Sequence, residues 1–134
     1  MGSAELIEGL DRVKNSFNSY PVDRMAELAA VAAIEDQDYT VTCNKKIIAT
    51  REWVTSELQS HGFEVLPSQA NFVFVRPLGI KAETLFNCLR EKNILVRFFN
   101  KPRIDEFLRI TIGTEQQMKT LLIAIGEILA ECKS

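Results

Sequence analysis

Asn71-Phe72-Val73-Phe74-Val75-Arg76 is the stretch that decides the fold. Four consecutive β-formers, Phe72 to Val75, predict a strand buried on both faces. Pro77 and Gly79 stop it, because proline gives a ladder no donor. Upstream, Phe63-Glu64-Val65-Leu66 reads as a short strand, and Pro67-Ser68-Gln69 turns the chain between the two. Downstream, Ala82, Leu85, Phe86 and Leu89 fall at helical spacing and predict an amphipathic helix ending near Asn93. Ile94-Leu95-Val96-Arg97-Phe98 and Phe107-Leu108-Arg109-Ile110-Thr111-Ile112 are two more strands. The connection between them carries Asn100, Lys101, Pro102 and Asp105 and reads as a hairpin loop. Thr114 with Gln117 matches a capping box, and Met118, Leu121, Leu122, Ile125 and Leu129 form the stripe of a last helix.

Three helices precede this block. Leu6, Ile7, Leu10, Val13 and Phe17 mark the first, and Asn15, Ser16, Asn18, Ser19 and Pro21 form a turn-rich break after it. Asp23 is placed to cap the second, whose Met25, Leu28, Ala29, Ala32, Ala33 and Ile34 predict close packing against a neighbour. A break at Asp36-Gln37-Asp38 leads to a long helix from about Thr40 to Ser60. Its apolar side holds Ile47, Ile48, Trp53, Val54 and Leu58, and Lys45, Lys46, Arg51, Glu52, Glu57 and Gln59 cover the other. Gly62 stands where a left-handed helix cap is common. Helices flanking clustered strands predict an α+β fold, with helices packed on a small mixed or antiparallel sheet, in a single domain over residues 1–134. Met1-Gly2-Ser3 reads as a cloning leader, which would start the natural chain further upstream.

The 134 residues carry a formal net charge of −2, with 46% hydrophobic and 25% charged side chains, the balance of an ordinary globular protein. A nucleic-acid binder would show a basic excess, so no nucleic-acid partner is expected; Lys45-Lys46 reads as a solvated helix face. No apolar run approaches the roughly 18 residues of a membrane span, so no membrane partner is expected. Cys43, Cys88 and Cys132 form no CxxC pair and read as reduced cytosolic thiols. The single histidine, His61, rules out a multi-histidine metal site and reads as a helix-end residue. Glu35, Asp36 and Asp38 gather at a helix end and need no catalytic role, and neither GxGxxG nor a P-loop is present. No metal site is expected.

The arginines carry the chemical signal. Along the last strand Phe107, Arg109 and Thr111 share one face, and Leu108, Ile110 and Ile112 the other. A guanidinium buried among apolar residues costs several kcal/mol unless an anion pairs with it. Arg97, at the end of the neighbouring strand, is placed to lie close to Arg109. Two readings follow: internal salt bridges to Asp105 or Glu106, or a clamp for a carboxylate or phosphate ligand, using the planar fork of arginine.

Ala70-Asn71-Phe72-Val73-Phe74-Val75, Ile94-Leu95-Val96-Arg97 and Phe107-Leu108-Arg109-Ile110-Thr111-Ile112-Gly113-Thr114 follow one another at a spacing that resembles the C-terminal domain of class-II, pyridoxal-phosphate-dependent aminotransferases. With Glu5-Leu6-Ile7-Glu8-Gly9-Leu10, Asn15-Ser16-Phe17-Asn18 and Leu28-Ala29-Ala30, the resemblance covers nearly the whole chain and narrows to the histidinol-phosphate aminotransferase group. It implies that Arg109 binds a substrate carboxylate or phosphate, that Arg97 helps to recognise the phosphate end of histidinol phosphate, and that Asn71 lies close to the cleft. It implies a parent enzyme that moves an amino group between L-histidinol phosphate and 2-oxoglutarate with pyridoxal 5'-phosphate, in cytoplasmic histidine biosynthesis, as a homodimer. It also implies that the Schiff-base lysine lies upstream, in a large cofactor-binding domain that this chain would partner, so that the 134 residues alone are inactive and bind the cofactor weakly. A threonine-phosphate decarboxylase or an aromatic aminotransferase has similar arginines. A stand-alone amino-acid-binding regulatory module would suit the β-β-α-β-β-α order of the second half.

Overall fold

The computed structural model describes residues 2–17 and 22–132. Met1 of the expected leader and Asn18, Ser19 and Pro21 of the turn-rich break lie outside them. The elements follow the expected order: α1 (Ala4–Phe17), α2 (Arg24–Glu35), α3 (Gln37–Ser60), β1 (Phe63–Val65), β2 (Phe72–Pro77), α4 (Ala82–Glu91), β3 (Arg97–Phe98), β4 (Leu108–Thr111) and α5 (Glu115–Glu131). The chain divides into two compact units, residues 1–40 and 41–134.

In the first unit, Ser3 accepts a bond from the Leu6 amide at the start of α1, and Asp23 accepts from the Ala26 amide and caps α2 as expected. The close packing expected of α2 is not found. None of its residues is buried, and Met25, Leu28, Val31 and Ile34 stand exposed. Leu6, Ile7, Leu10 and Val13 of α1 are exposed in the same way. Alanine-rich periodicity records that a face is suited to burial; it does not supply the surface that buries it.

The expected break before α3 shrinks to Asp36. This residue closes α2 through its amide, which bonds the Ala32 carbonyl, and opens α3 through its carboxylate, which accepts from the Tyr39 amide. One side chain thus serves as both stop and start, and α3 gains three residues at its beginning.

The second unit holds the core. Its sheet runs β1-β2-β4-β3 and every pairing is antiparallel. Val73, Val75, Leu108 and Ile110 leave one face of it and meet Val54 and Leu58 of α3, Leu85 and Leu89 of α4, and Leu121, Ile125 and Ile128 of α5. Each such side chain contributes about 1.5–3 kcal/mol when fully buried, so this one layer dominates the stability of the unit. Gly62, at φ 82°, ends α3 in the left-handed region, and the His61 ring donates from Nδ1 to the Glu57 carbonyl at 2.8 Å, so His61 is the helix-end residue its position suggests. The Thr114–Gln117 capping box is present in both halves.

Two strand expectations change. Phe72–Val75 was expected to be buried on both sides, yet only Val73 and Val75 are buried; Phe72 and Phe74 are half-buried. The packed core contains residues of only one sheet face, so the other stays open. The strand expected over Ile94–Phe98 is reduced to Arg97–Phe98. Its first residues are engaged in closing α4: the Ile94 amide bonds the Leu89 carbonyl, the Asn93 amide bonds the Arg90 carbonyl, and Asn93 sits at φ 59°. This is a Schellman closure with asparagine in the left-handed position.

Candidate functional site

The open face of the sheet carries the candidate site. Burial alternates along β4, with Leu108 and Ile110 inward and Arg109 and Thr111 outward. In β2, Phe72, Phe74 and Arg76 share the outward side. Strand register then decides the neighbours. Arg109 is the cross-strand partner of Phe74 on one side and of Arg97 on the other. Phe74, Arg109 and Arg97 therefore form a row across three strands, with the two arginines directly opposite each other. Residues so paired have Cβ atoms about 4.5–5.5 Å apart, and like charges there repel.

Rings support the guanidinium groups. Arg97 lies over Phe99 and Arg109 over Phe72, each with Cζ 5.4 Å from the ring centroid, and Arg76 lies over Phe107 at 5.8 Å. Phe74 stacks on Phe107 with centroids 4.8 Å apart and meets Phe99 edge-on at 6.2 Å. The three cations differ in their counter-charges. Arg76 binds Glu64 through Nε at 2.8 Å and Glu106 through Nη1 at 3.3 Å, and the Glu64 hydrogen bond leads the interactions that raise its pKa. Among the described residues, neither Arg97 nor Arg109 has a carboxylate partner.

This arrangement corrects the salt-bridge alternative and its premise. Glu106 is taken by Arg76, and Asp105 forms no ion pair among the described residues. Arg97 and Arg109 are exposed, so no burial cost compels a partner. What remains is a doubled positive charge on an open aromatic face. Such a pair can hold a planar carboxylate or a phosphate by charge-assisted, bidentate hydrogen bonds.

Asn71 does not join the row. It precedes β2, is exposed, and uses its carbonyl to accept from the Ile112 amide at 2.8 Å, which extends the β2–β4 ladder by one rung. Two residues escaped the sequence reading. Arg76 was read only as a strand end, although alternation from Phe74 puts it on the arginine face. Arg51 was read as part of a solvated helix side, yet its Nη1 donates to the Ala70 carbonyl at 2.8 Å and ties α3 to the loop before Asn71. A cleft of about 720 Å³ beside the turn after β2, lined in part by Arg76, Lys81, Asp105 and Glu106, includes neither Arg97 nor Arg109. The arginine pair is the better candidate, because no described residue neutralises its charge whereas the Arg76 charge in the cleft is met by Glu64 and Glu106.

The family model for aminotransferase class I and II matches residues 1–125. The chain belongs to that family. This aminotransferase chain is 56% identical over 129 residues to histidinol-phosphate aminotransferase 1 of Hydrogenovibrio crunogenus, covering 96% of itself and 36% of that protein. It is 52% identical over 130 residues to histidinol-phosphate aminotransferase of Clostridium acetobutylicum, covering 97% and 37%. It thus spans about a third of the length of the curated relatives it matches. Among solved structures, histidinol-phosphate aminotransferase from Sinorhizobium meliloti in complex with pyridoxal-5'-phosphate superposes with a TM-score of 0.74 at 26% identity, over 92% of this chain and 35% of that one. L-threonine-O-3-phosphate decarboxylase from Porphyromonas gingivalis superposes with a TM-score of 0.62 at 26% identity, over 78% and 33%.

The family's cofactor asks for a lysine activated by desolvation or by a cationic neighbour. The described lysines are all exposed, and Lys92 and Lys119 are bound to Glu127 and Glu115. Lys133 lies outside the described residues. The three cysteines are free, and among the described residues no helix is long and apolar enough to cross a membrane.

Proposed function

We propose that this chain is the substrate-anion-binding, C-terminal small domain of a cytoplasmic histidinol-phosphate aminotransferase, a homodimer that uses pyridoxal 5'-phosphate. The parent moves an amino group between L-histidinol phosphate and 2-oxoglutarate. The reading rests on one observation above the others: Arg97 and Arg109 face each other on an open sheet face, with no carboxylate partner among the described residues. Both substrates present anions that such a pair can grip. An open face holds a small ligand more tightly when another surface covers it, which is the part assigned to a larger cofactor domain bearing the Schiff-base lysine. The high identity to histidinol-phosphate aminotransferases over almost the whole chain favours that substrate over the threonine phosphate of the more distant structural relative.

Steady-state transamination by the full-length parent tests the proposal. Each charge-assisted hydrogen bond contributes about 1.5–3 kcal/mol, so Arg109→Ala should cost roughly tenfold to a hundredfold in kcat/KM, and Arg97→Ala should act chiefly on KM for the phosphorylated substrate. A parent that decarboxylates threonine phosphate and ignores histidinol phosphate would sink the assignment. The isolated 134-residue chain should show neither turnover nor a stoichiometric imine absorbance with pyridoxal phosphate.

A further inference from the structure

We propose that Phe72 and Phe99 are positioning residues that hold the two guanidinium groups ready for an anion. The inference rests on the anion-site reading above and adds to it the device that orients the pair. Two like charges placed directly opposite each other on an antiparallel ladder repel, and the long arginine side chains have every freedom to splay apart. On this face an aromatic ring lies beneath each cation. Phe72 lies under Arg109 and Phe99 under Arg97, each with Cζ 5.4 Å from the centroid, inside the range in which a ring attracts a cation.

The rings themselves are held. Phe99 meets Phe74 edge-on, and Phe74 stacks on Phe107 with an interplanar angle of 9°. Phe72 is paired in register with Thr111, and its carbonyl accepts from the Ser68 hydroxyl at 2.5 Å, which anchors the strand at that position. The third cation of the face makes the contrast. Arg76 has its own ring, Phe107, but also Glu64 and Glu106, which occupy its donors. At Arg97 and Arg109 the ring is the partner, so among the described residues nothing occupies the donor edges and a ligand can take them. A ring attracts the face of a guanidinium and leaves its N–H groups unused, whereas a carboxylate would consume them. An aromatic support is therefore the support that orients an anion-binding arginine without competing with the anion.

Arginine side-chain NMR of this chain, with inorganic phosphate as the probe, tests the idea. The Nε–H signals of Arg109 and Arg97 should carry ring-current shifts. Phe72→Leu should abolish the shift at Arg109 alone, and Phe99→Leu the shift at Arg97 alone. Each leucine variant should weaken phosphate binding about two- to fivefold, as an exposed cation–π contact predicts, and Phe72→Tyr and Phe99→Tyr should restore both the shift and the binding. Leucine keeps the apolar bulk, and unchanged backbone amide spectra away from the site separate positioning from misfolding. Missing ring-current shifts beside intact phosphate binding overturn the positioning role alone. Normal ring-current shifts with no phosphate binding to the unsubstituted chain overturn the anion site, and the proposal with it.

Discussion

Replacing Asn93 by alanine should destabilise the second unit by about 1 kcal/mol, although the side chain is exposed. Asn93 sits at φ 59°, where a Cβ crowds the following carbonyl. For most L-residues that conformation costs roughly 1–2 kcal/mol, and asparagine bears it more easily than alanine. Glycine bears it without cost, so Asn93→Gly should stay within about 0.5 kcal/mol of the original, its looser unfolded chain offsetting the relief. For a unit of this size, 1 kcal/mol corresponds to roughly 4–8 °C in melting temperature. Thermal and urea unfolding followed by circular dichroism would read the difference, and hydrogen exchange at the Ile94 amide would localise it, because that amide is bonded to the Leu89 carbonyl across the closure. The consequence reaches the site. The closure fixes where α4 ends and hence where β3 begins, four residues after Asn93. A one-residue slip there would turn Arg97 to the covered side and dismantle its pairing with Arg109. An alanine variant as stable as the original, or a glycine variant less stable than the alanine one, would refute the reasoning.

Three further outcomes are expected. Lys119 hydrogen-bonds Glu115 and holds its carboxyl below the ordinary 4.5. A depressed carboxyl gives stability that is complete above the unfolded pKa and lost as pH falls through the folded one, so Glu115→Gln should flatten the acid limb of a stability–pH curve below about pH 4.5; an unchanged limb would contradict the pairing. A Cβ at Gly113 would collide with the Gln117 amide oxygen, which accepts from the Thr114 amide. Gly113→Ala should therefore stabilise by about 0.4–1 kcal/mol only when Gln117→Ala has already cleared the space, and equal effects in both backgrounds would disprove the clash. Arg51→Met keeps the stem but loses the bond to the Ala70 carbonyl, and should cost about 1–2 kcal/mol in urea unfolding, with faster exchange in residues 68–71; loss of stability without faster exchange there would place the role of Arg51 elsewhere.

The order of elements, the caps at Asp23 and Thr114, the helix end at Gly62 and the inward and outward sides of β4 were all legible in the sequence. Each depends on residues within a few positions of one another, where backbone geometry leaves little choice. Arg97 and Arg109 were also singled out there, though as charges buried at a cost. The tertiary structure decided the opposite: both stand on a face that no helix of the core covers, and Phe72 and Phe74, read as doubly buried, stand beside them. Register between β3 and β4 set the two arginines opposite each other, and the capture of Glu106 by Arg76 left them without a counter-charge among the described residues. Neither could be read along the chain, because cross-strand register and the choice among competing partners are settled by segments far apart in sequence. The apolar stripes of α1 and α2 have the same lesson in reverse: periodicity announces a face to be covered, and only the surrounding fold determines what covers it.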